Sequence, residues 1–219
     1  LPLLDEVAPH AEAVGAVNTV VVRAADGGRI LRGENTDING FLTPLAPYVE
    51  DLRARPVLMF GCGGSARAVA YGILNVVRPP LMWIVGRDPA KCEAMLAEIL
   101  ASVPAAPEVR VIPFSEARTA VVESGLIVNC TPLGMHPNVD ETPWESADDF
   151  NAGHVVYDLV YNPLETRLLR DAASRGARCI NGLEMLIQQA SASYRLWTGR
   201  QMPLEPVREV LSTGSAGTL

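Results

Sequence analysis

Three glycines at positions 61, 63 and 64 follow directly on the apolar run 57–60, and a helical pattern of small residues comes after them. A short apolar run that stops at glycines predicts a buried strand, and residues without a Cβ let backbone N–H groups approach a ligand closely. A helix that begins at Gly64 has its positive end at the same turn, which suits a pyrophosphate. The spacing departs from G-x-G-x-x-G because Ala66 stands where the third glycine is expected. The pattern predicts a dinucleotide site, with a plain strand-to-helix turn as the alternative.

A second polar group follows the next apolar run, 81–85, and comprises Gly86, Arg87, Asp88 and Lys91. Arginine and lysine at this position suit the 2′-phosphate of NADP. A carboxylate there suits the unphosphorylated ribose of NAD and repels a phosphate. The alternative is that the two cations are solvated charges and that Asp88 is the N-cap of the following helix. The sequence favours NADP and leaves NAD open.

These groups lie on a chain of alternating strands and helices. From residue 57 onward the predicted strands are 57–60, 81–85, 109–112, 126–129, 154–160 and 177–180, and the predicted helices are 65–77, 89–100, 115–123, 165–175, 182–197 and 206–211. Alternation at this spacing predicts an α/β fold with a doubly wound parallel sheet. Ligands bind such sheets at the carboxyl ends of strands, so the loops after residues 60, 85, 129 and 160 should share one edge.

The chain before residue 57 has a different pattern. It predicts, in order, a helix at 1–13, a strand at 18–23, a hairpin turn at Asp26-Gly27-Gly28, a strand at 29–33, a polar loop at 33–41 and a helix at 43–52. Asp37, within the polar loop, is a good helix N-cap by residue type, which is its structural interpretation and is compatible with a functional role. At the other end of the chain, residues 212–219 are expected to be disordered.

The composition limits the kinds of partner. A net charge of −7 without a basic stripe argues against a nucleic-acid partner, and no apolar run approaches the ~20 residues of a membrane-spanning helix. The four cysteines form no CxxC pair and the three histidines show no ligand-like spacing, so no metal site is predicted. Buried free thiols are typical of a reducing compartment, and a cytoplasmic location is therefore expected.

Six segments stand in an order that resembles one family. They are Gly15-Ala-Val-Asn18-Thr19, Asn35-Thr36-Asp37-x-x-Gly40, Gly61-Cys-Gly63-Gly64-Ser-Ala-Arg-Ala68, Val128-Asn129-Cys-Thr131-Pro132-Leu-Gly134-Met135, Tyr157-Asp158-x-x-Tyr161-x-Pro163 and Gly182-x-x-Met185-Leu-x-x-Gln188-Gln189-Ala190. On these motifs the chain resembles shikimate dehydrogenase, the NADP-dependent enzyme that reduces 3-dehydroshikimate, across nearly all of its 219 residues. Six motifs in the same order are far more specific than any one of them.

The resemblance implies a Rossmann-like NADP-binding domain and a role for each matched residue. The residues expected to contact the hydroxyls and ring of the substrate are Asn18, Asp37, Tyr161 and Gln189. Asp37 would be the carboxylate of a catalytic lysine–aspartate pair. The residues expected to hold the cofactor are Gly61, Cys62, Gly63, Gly64 and Ser65 at the pyrophosphate, Gly86, Arg87, Asp88 and Lys91 at the adenosine end, and Thr131, Leu159, Gly182 and Met185 beside the nicotinamide.

Several of these residues also have a structural interpretation. Asn18 satisfies loop backbone, Tyr161 packs as an aromatic, Thr131 is a turn residue, and Met185 fills core space. Gln189 has a neighbour, Gln188, and only the motif register selects Gln189 as the inward-facing residue. Cys62 and Cys130 are interpreted as small apolar side chains rather than nucleophiles.

The resemblance also has departures. The family commonly has Asn-Arg-Thr where this chain has Gly86-Arg87-Asp88, which leaves the choice between NADP and NAD open. The family's catalytic lysine, in an Asn-Val-Thr-x-Pro-x-Lys segment, and a serine pair for the substrate carboxylate are expected upstream of Leu1. Lys91, the only lysine in the chain, lies in the cofactor half.

The resulting hypothesis divides the chain into the remainder of a substrate domain at 1–49, a dinucleotide domain at 50–181, and helices at 182–211 that return to the substrate domain. An NAD-dependent quinate/shikimate dehydrogenase and a non-catalytic binding or regulatory relative are the alternatives. The expected partner is the small-molecule substrate alone, in a monomer or homodimer.

Overall fold

The computed structural model describes residues 2–25 and 27–214 and contains two sheets. The larger has six parallel strands in the order β6-β5-β4-β7-β8-β9. These strands are β4 (Val57–Phe60), β5 (Leu81–Val85), β6 (Glu108–Val111), β7 (Leu126–Asn129), β8 (Val155–Asp158) and β9 (Arg178–Ile180). The chain runs outward in one direction from β4 and in the other from β7, so the switch point lies between these two strands. The predicted doubly wound sheet is confirmed.

Helices cover both faces of this sheet, which explains why its strands are continuous apolar runs rather than alternating ones. They are α4 (Gly64–Gly72), α5 (Pro89–Leu100), α6 (Ala117–Glu123) and α7 (Arg167–Ser174). Two apolar clusters result, one on each face. The first includes Phe41 stacked on Tyr157 with ring centroids 5.1 Å apart, and the second includes Phe60 stacked on Trp144.

The smaller sheet has three strands in the order β1-β3-β2. Its elements are β1 (Glu6–Val7), α1 (Pro9–Val14), β2 (Thr19–Ala25) and β3 (Gly28–Glu34). The prediction of a helix over 1–13 is wrong in part, because residues 6 and 7 pair with β3 as a parallel strand and only the stretch from Pro9 is helical. The hairpin is confirmed by the antiparallel pairing of β2 and β3, although Asp26 lies outside the described residues.

Two helical segments connect the sheets. The first is α2 (Asp37–Leu45), continued by a 3₁₀ turn and by α3 (Val49–Leu52); it begins within the predicted polar loop. The second is α8 (Gly182–Thr198), which packs along α2 and is followed by α9 (Leu204–Gly214). Residues 212–214, predicted to be disordered, belong to α9, and residues 215–219 lie outside the described residues.

The remaining differences are at element ends. The predicted strand 154–160 is shorter, because the chain leaves the sheet after Asp158, and the predicted helix 65–77 changes to a π-helical turn over Ile73–Val77. Among residues 2–25 and 27–214, no helix is both long and apolar enough to span a membrane. Within the same residues, no group of three or more His, Cys, Asp and Glu side chains is arranged to hold a metal ion.

Candidate active site

Asn18 and Asp37 come together where the small sheet meets α2. Asn18 precedes β2 and Asp37 begins α2, and the antiparallel pairing of Thr19 with Glu34 brings these two ends to the same edge. The Asn18 side-chain amide donates to Asp37 Oδ1 at 2.8 Å and to Thr36 Oγ1 at 3.0 Å. Its carbonyl oxygen accepts from the Thr36 backbone N–H at 2.9 Å. The two predicted substrate residues are therefore held in one hydrogen-bonded group.

Asp37 is not a helix N-cap, so its structural interpretation is wrong. The side-chain carbonyl of Asn35 accepts from the N–H groups of Asp37 and Ile38, at 3.1 and 3.3 Å, and so satisfies the start of α2. The Asp37 carboxylate thus has no capping role and points into the cluster with Asn18. Burial raises the pKa of this carboxyl, and the hydrogen bond from Asn18 lowers it in partial compensation.

Helix α8 brings Gln189 to the same place. Thr36 Oγ1 lies 3.4 Å from Gln189 Oε1, while the Gln189 amide nitrogen donates to the Leu186 carbonyl at 3.0 Å. Close approach is possible because Gly40 lacks a side chain: a Cβ there would lie 2.8 Å from the Met185 carbonyl oxygen and 2.9 Å from Gln189 Cβ. Gln188 instead lines a cavity of about 410 Å³, together with Asn35 and Thr36.

Two members of this group were missed from the sequence. Thr36 is buried and bonds to Asn18, and Ser193 on α8 lies 3.1 Å from Thr36 Oγ1 and 2.7 Å from Thr19 Oγ1. The spacing of Ser193 four residues after Gln189 puts both on one helix face, which is a signal that sequence reasoning could use. Thr36 stood within a quoted motif but had no assigned role.

The glycine turn lies at the carboxyl end of β4, at the switch point. Gly61 has a φ of +101°, which a residue with a side chain rarely adopts, and a Cβ there would lie 3.0 Å from Thr131 Cγ2. A Cβ at Gly63 or Gly64 would instead point into open space. Gly63 is the N-cap of α4 and provides no side-chain cap, so the first N–H groups of the helix and the exposed Ser65 border that space. This cradle fits a phosphate-bearing cofactor.

The residues predicted to bind the adenosine end of the cofactor follow β5, the strand next to β4. Arg87 and Lys91 are exposed, and neither side chain hydrogen-bonds or ion-pairs with another of the described residues. Asp88 accepts from the Lys91 backbone N–H at 3.1 Å and is the N-cap of α5. The capping interpretation of Asp88 is thus confirmed, and the two cations next to it are available to a phosphate.

The residues predicted beside the nicotinamide converge from β7, β8 and α8. Thr131 donates from both its N–H and its hydroxyl to Asn129 Oδ1, at 2.9 and 2.6 Å. A Cβ at Gly182 would overlap the Leu159 carbonyl oxygen, so the start of α8 lies directly against the loop after β8. Met185 is 7% exposed and belongs to the larger apolar cluster.

A buried carboxylate links these loops. Asp158 Oδ1 accepts from Asn129 Nδ2 at 2.9 Å and from the Val160 N–H at 3.0 Å, and Oδ2 accepts from the Thr166 hydroxyl at 2.6 Å. Burial raises the pKa of Asp158 to about 6, although all three donors act in the opposite direction. Asn129, which donates to Asp158, also accepts two hydrogen bonds from Thr131. One set of hydrogen bonds therefore fixes the carboxyl ends of both β7 and β8.

Tyr161 is the predicted substrate residue with the weakest connection to the others. Its side chain is 46% exposed. Across the described part of the chain, no hydrogen bond joins it to Asn18, Asp37 or Gln189. It follows β8 by three residues, in a loop whose Asn162 carbonyl accepts from the His136 N–H.

Comparison with known proteins identifies relatives by sequence and by fold. The profile of the Shikimate 5'-dehydrogenase C-terminal domain matches residues 182–211. An NADP(+) shikimate dehydrogenase of Salinibacter ruber is 53% identical over 213 residues, which cover 96% of this chain and 73% of that protein.

Two solved structures are similar to the whole described fold. A quinate dehydrogenase of Corynebacterium glutamicum in complex with NAD has a TM-score of 0.86 at 32% identity, covering 97% of this chain and 73% of that one. A shikimate 5-dehydrogenase of Thermus thermophilus in complex with NADP(H) and shikimate has a TM-score of 0.75 at 33% identity, covering 96% and 72%. Because it is 53% identical to an NADP(+) shikimate dehydrogenase over 96% of its length, the chain belongs to the shikimate dehydrogenase family.

Proposed function

We propose that this protein catalyses the reversible, NADP-dependent reduction of 3-dehydroshikimate to shikimate, in aromatic amino-acid and chorismate biosynthesis. The observation that carries the proposal is the group formed by Asn18, Thr36, Asp37 and Gln189, joined through α8 to the predicted nicotinamide wall. Gly182 and Gln189 are seven residues apart on this helix, or about 10 Å. That span suits a ring placed next to a nicotinamide.

The polar group suits a polyhydroxylated ring. Asn18 and Gln189 present amide groups, and Asp37 presents a carboxylate, all within a network that restricts their orientation. A site built to hydrogen-bond hydroxyls rejects molecules that lack them, because its own polar groups are then left unpaired. This supports a substrate with several hydroxyls over a simple ketone.

The cofactor supplies the hydride, and residues of the protein bind the cofactor and position the proton donor. NADP(H), when bound, supplies or accepts the hydride at the carbonyl carbon. Gly61, Cys62, Gly63, Gly64 and Ser65 would hold the pyrophosphate at the start of α4. The proton on the carbonyl oxygen requires a positioned donor, and Asp37 is proposed to hold the lysine predicted upstream of Leu1 in its charged form. A positive charge beside Asp37 also offsets the cost of burying that carboxylate.

NADP preference is proposed from Arg87 and Lys91, whose side chains are exposed beside the strand end. Kinetics with NADPH and NADH, using protein expressed from the complete reading frame, tests this. We expect Arg87→Ala to raise KM for NADPH roughly 10- to 100-fold, since a charge-assisted hydrogen bond contributes about 1.5–3 kcal/mol. KM for NADH should stay within about twofold, and Arg29→Ala, an exposed arginine on β3, is the matched control. Equal use of the two cofactors by the wild type would contradict the proposal.

The runner-up is an NAD-dependent quinate/shikimate dehydrogenase. It is motivated by Asp88, whose second carboxylate oxygen is not used in capping α5, and by the quinate dehydrogenase neighbour with NAD. Assaying shikimate and quinate with each cofactor separates the two. A non-catalytic relative is the third candidate, and a reading frame without the Asn-Val-Thr-x-Pro-x-Lys segment upstream of Leu1 would favour it.

The proposal includes a cytoplasmic location. It is supported by the four cysteines, which are free thiols of the kind found where thioredoxin and glutathione act. The domain limits at 1–49, 50–181 and 182–211, and a monomeric or homodimeric state, remain predictions.

A further inference from the structure

Two cysteines from different elements meet beside the glycine turn. Cys62 is the second residue of that turn, and Cys92 lies in the first turn of α5 with no solvent exposure. A Cβ built at Gly86 would overlap Cys92 Sγ and lie 3.6 Å from Cys62 Sγ. Both sulfur atoms therefore occupy the space next to Gly86.

Gly86 is what makes this arrangement possible. Any side chain at this position would drive its Cβ into Cys92 Sγ. The glycine and the buried cysteine therefore fit each other sterically. Asp88 and Lys91 are the charged groups that act on Cys92, from the same end of α5.

The two thiols differ in accessibility. Cys62 is partly exposed, on the turn that borders the open space at Gly63 and Gly64, whereas Cys92 is enclosed. Burial, the neighbouring Cys62 and the charge of Asp88 raise the pKa of Cys92 to about 12, which makes Cys92 the less reactive thiol. Because Cys62 is the more exposed of the two, it is the sulfur that a solvent-borne reagent reaches.

We propose that Cys62 and Cys92 form a peroxide-sensitive dithiol, a modification site within the turn that holds the cofactor pyrophosphate. The Cys62 sulfur attacks one oxygen of hydrogen peroxide, the O–O bond breaks, and water leaves with the thiol proton, which gives a sulfenic acid. The Cys92 sulfur then attacks Cys62 Sγ, the S–O bond breaks, and a second water carries off the Cys92 proton. Two thiols are oxidised to one disulfide, and one peroxide is reduced to two waters.

The effect on cofactor binding rests on the proposed function. A disulfide would pull the Cys62 side chain towards α5 and fix the turn to it. The N–H groups at the start of α4 must align with a pyrophosphate, so a turn held in another position binds it less well. Bound NADPH would in turn cover Cys62 and slow its oxidation.

The test is a peroxide titration of the reduced protein, with free thiols counted under denaturing conditions and disulfides mapped by peptide mass spectrometry. We expect two of the four thiols to be lost, a Cys62–Cys92 crosslinked peptide, and a fall in NADPH affinity of roughly tenfold or more that dithiothreitol reverses. NADPH added before peroxide should slow the thiol loss.

Cys92→Ala should bind NADPH normally and should retain affinity after peroxide, since no second thiol can close the bridge. Cys179→Ala, which removes an exposed cysteine on β9, should behave as the wild type. Four intact thiols after peroxide, or crosslinks that do not join Cys62 to Cys92, would overturn the dithiol. A reduced protein that does not bind NADPH would overturn the proposed function instead, and the crosslink alone then decides on the dithiol.

Discussion

Asn18 holds Asp37 by a 2.8 Å hydrogen bond from its side-chain amide, and the same side chain accepts from the Thr36 N–H. The donor and acceptor ends of the Asn18 amide are thus both fixed, and the Asp37 carboxylate is oriented by a residue nineteen positions away. The relationship depends on the β2–β3 hairpin, whose register brings Thr19 opposite Glu34. A substitution of Asn18 should therefore change the orientation of the Asp37 carboxylate, and a substitution of Asp37 should change that of the Asn18 amide.

Asp37→Asn tests the proposed catalytic role of the Asp37 carboxylate. The substitution keeps the size of the side chain and removes the charge that is proposed to sustain a neighbouring cation. We expect kcat to fall roughly 10²- to 10⁴-fold, with KM for NADPH nearly unchanged, because Asp37 is bonded to Asn18 and is not among the residues predicted to hold the cofactor. Steady-state kinetics in both directions measures this. Unchanged turnover would remove Asp37 from the catalytic role.

Asn18→Ala tests the orientation of the carboxylate by pH. Burial raises the Asp37 pKa and the Asn18 hydrogen bond opposes that rise, so loss of the donor should raise the pKa further. Activity that requires the ionised carboxylate should then be lost at a higher pH than in the wild type. The acidic limb of the kcat/KM profile is the measurement. A profile that only drops in height, without moving along the pH axis, contradicts this reasoning.

Asp158→Asn tests the hydrogen bonds that Asp158 accepts next to the residues predicted to contact the nicotinamide. The raised pKa, about 6 against an ordinary 3.8, means that the native state binds the proton more tightly than the unfolded chain. Its stabilising contribution is complete below the unfolded pKa and is lost as pH rises through about 6, a difference of about 3 kcal/mol.

The asparagine variant should lose this pH dependence, so the free energy of unfolding should change less between pH 4 and pH 8 than in the wild type. Urea unfolding at several pH values measures it. Asp158→Ala is the matched variant: it leaves Asn129, Val160 and Thr166 without their acceptor and should be less stable than the asparagine variant by about 1–3 kcal/mol at every pH, since neither variant has the titrating carboxyl. If the free energy of unfolding depends on pH in the same way in the wild type and the asparagine variant, the raised pKa of Asp158 is contradicted.

Gly40→Ala tests the contact between α2 and α8. The added Cβ would lie 2.8 Å from the Met185 carbonyl, so α8 must move and carry Gln189 with it. We expect a loss of about 1–3 kcal/mol in stability and a raised KM for shikimate. Gly72→Ala on α4 is the control, because its Cβ would meet only the flexible end of Leu42, at 3.4 Å. Similar effects of both substitutions would argue against a specific role of the α2–α8 contact.

Local patterns in the sequence were enough to predict the parallel sheet and the glycine turn after its strand 57–60, and to offer the Asp88 cap as one of two interpretations. Each depends on a periodicity or on residues a few positions apart. The short strand at residues 6 and 7 was missed because two residues carry no period, and their strand conformation comes from pairing with β3.

The interior of the site was less predictable for a related reason. Asn35 and Asp37 are both good caps by residue type, and only the backbone geometry decides that Asn35 takes the role. The meeting of Ser193 with Thr36, and of Cys62 with Cys92, joins residues from separate elements, about which local patterns are silent.

Helix α8 begins against Leu159 of the large sheet and ends with Trp197 donating to the Val20 carbonyl of the small one. A helix bends or pivots far more easily than it stretches. A hinge motion between the two sheets would therefore rotate Gln189 about Gly182 without changing the distance from Gln189 to Leu159. Such a motion would alter the angle between the substrate ring and the nicotinamide. The distance between Gln189 and Leu159 would stay constant, because α8 has a fixed length.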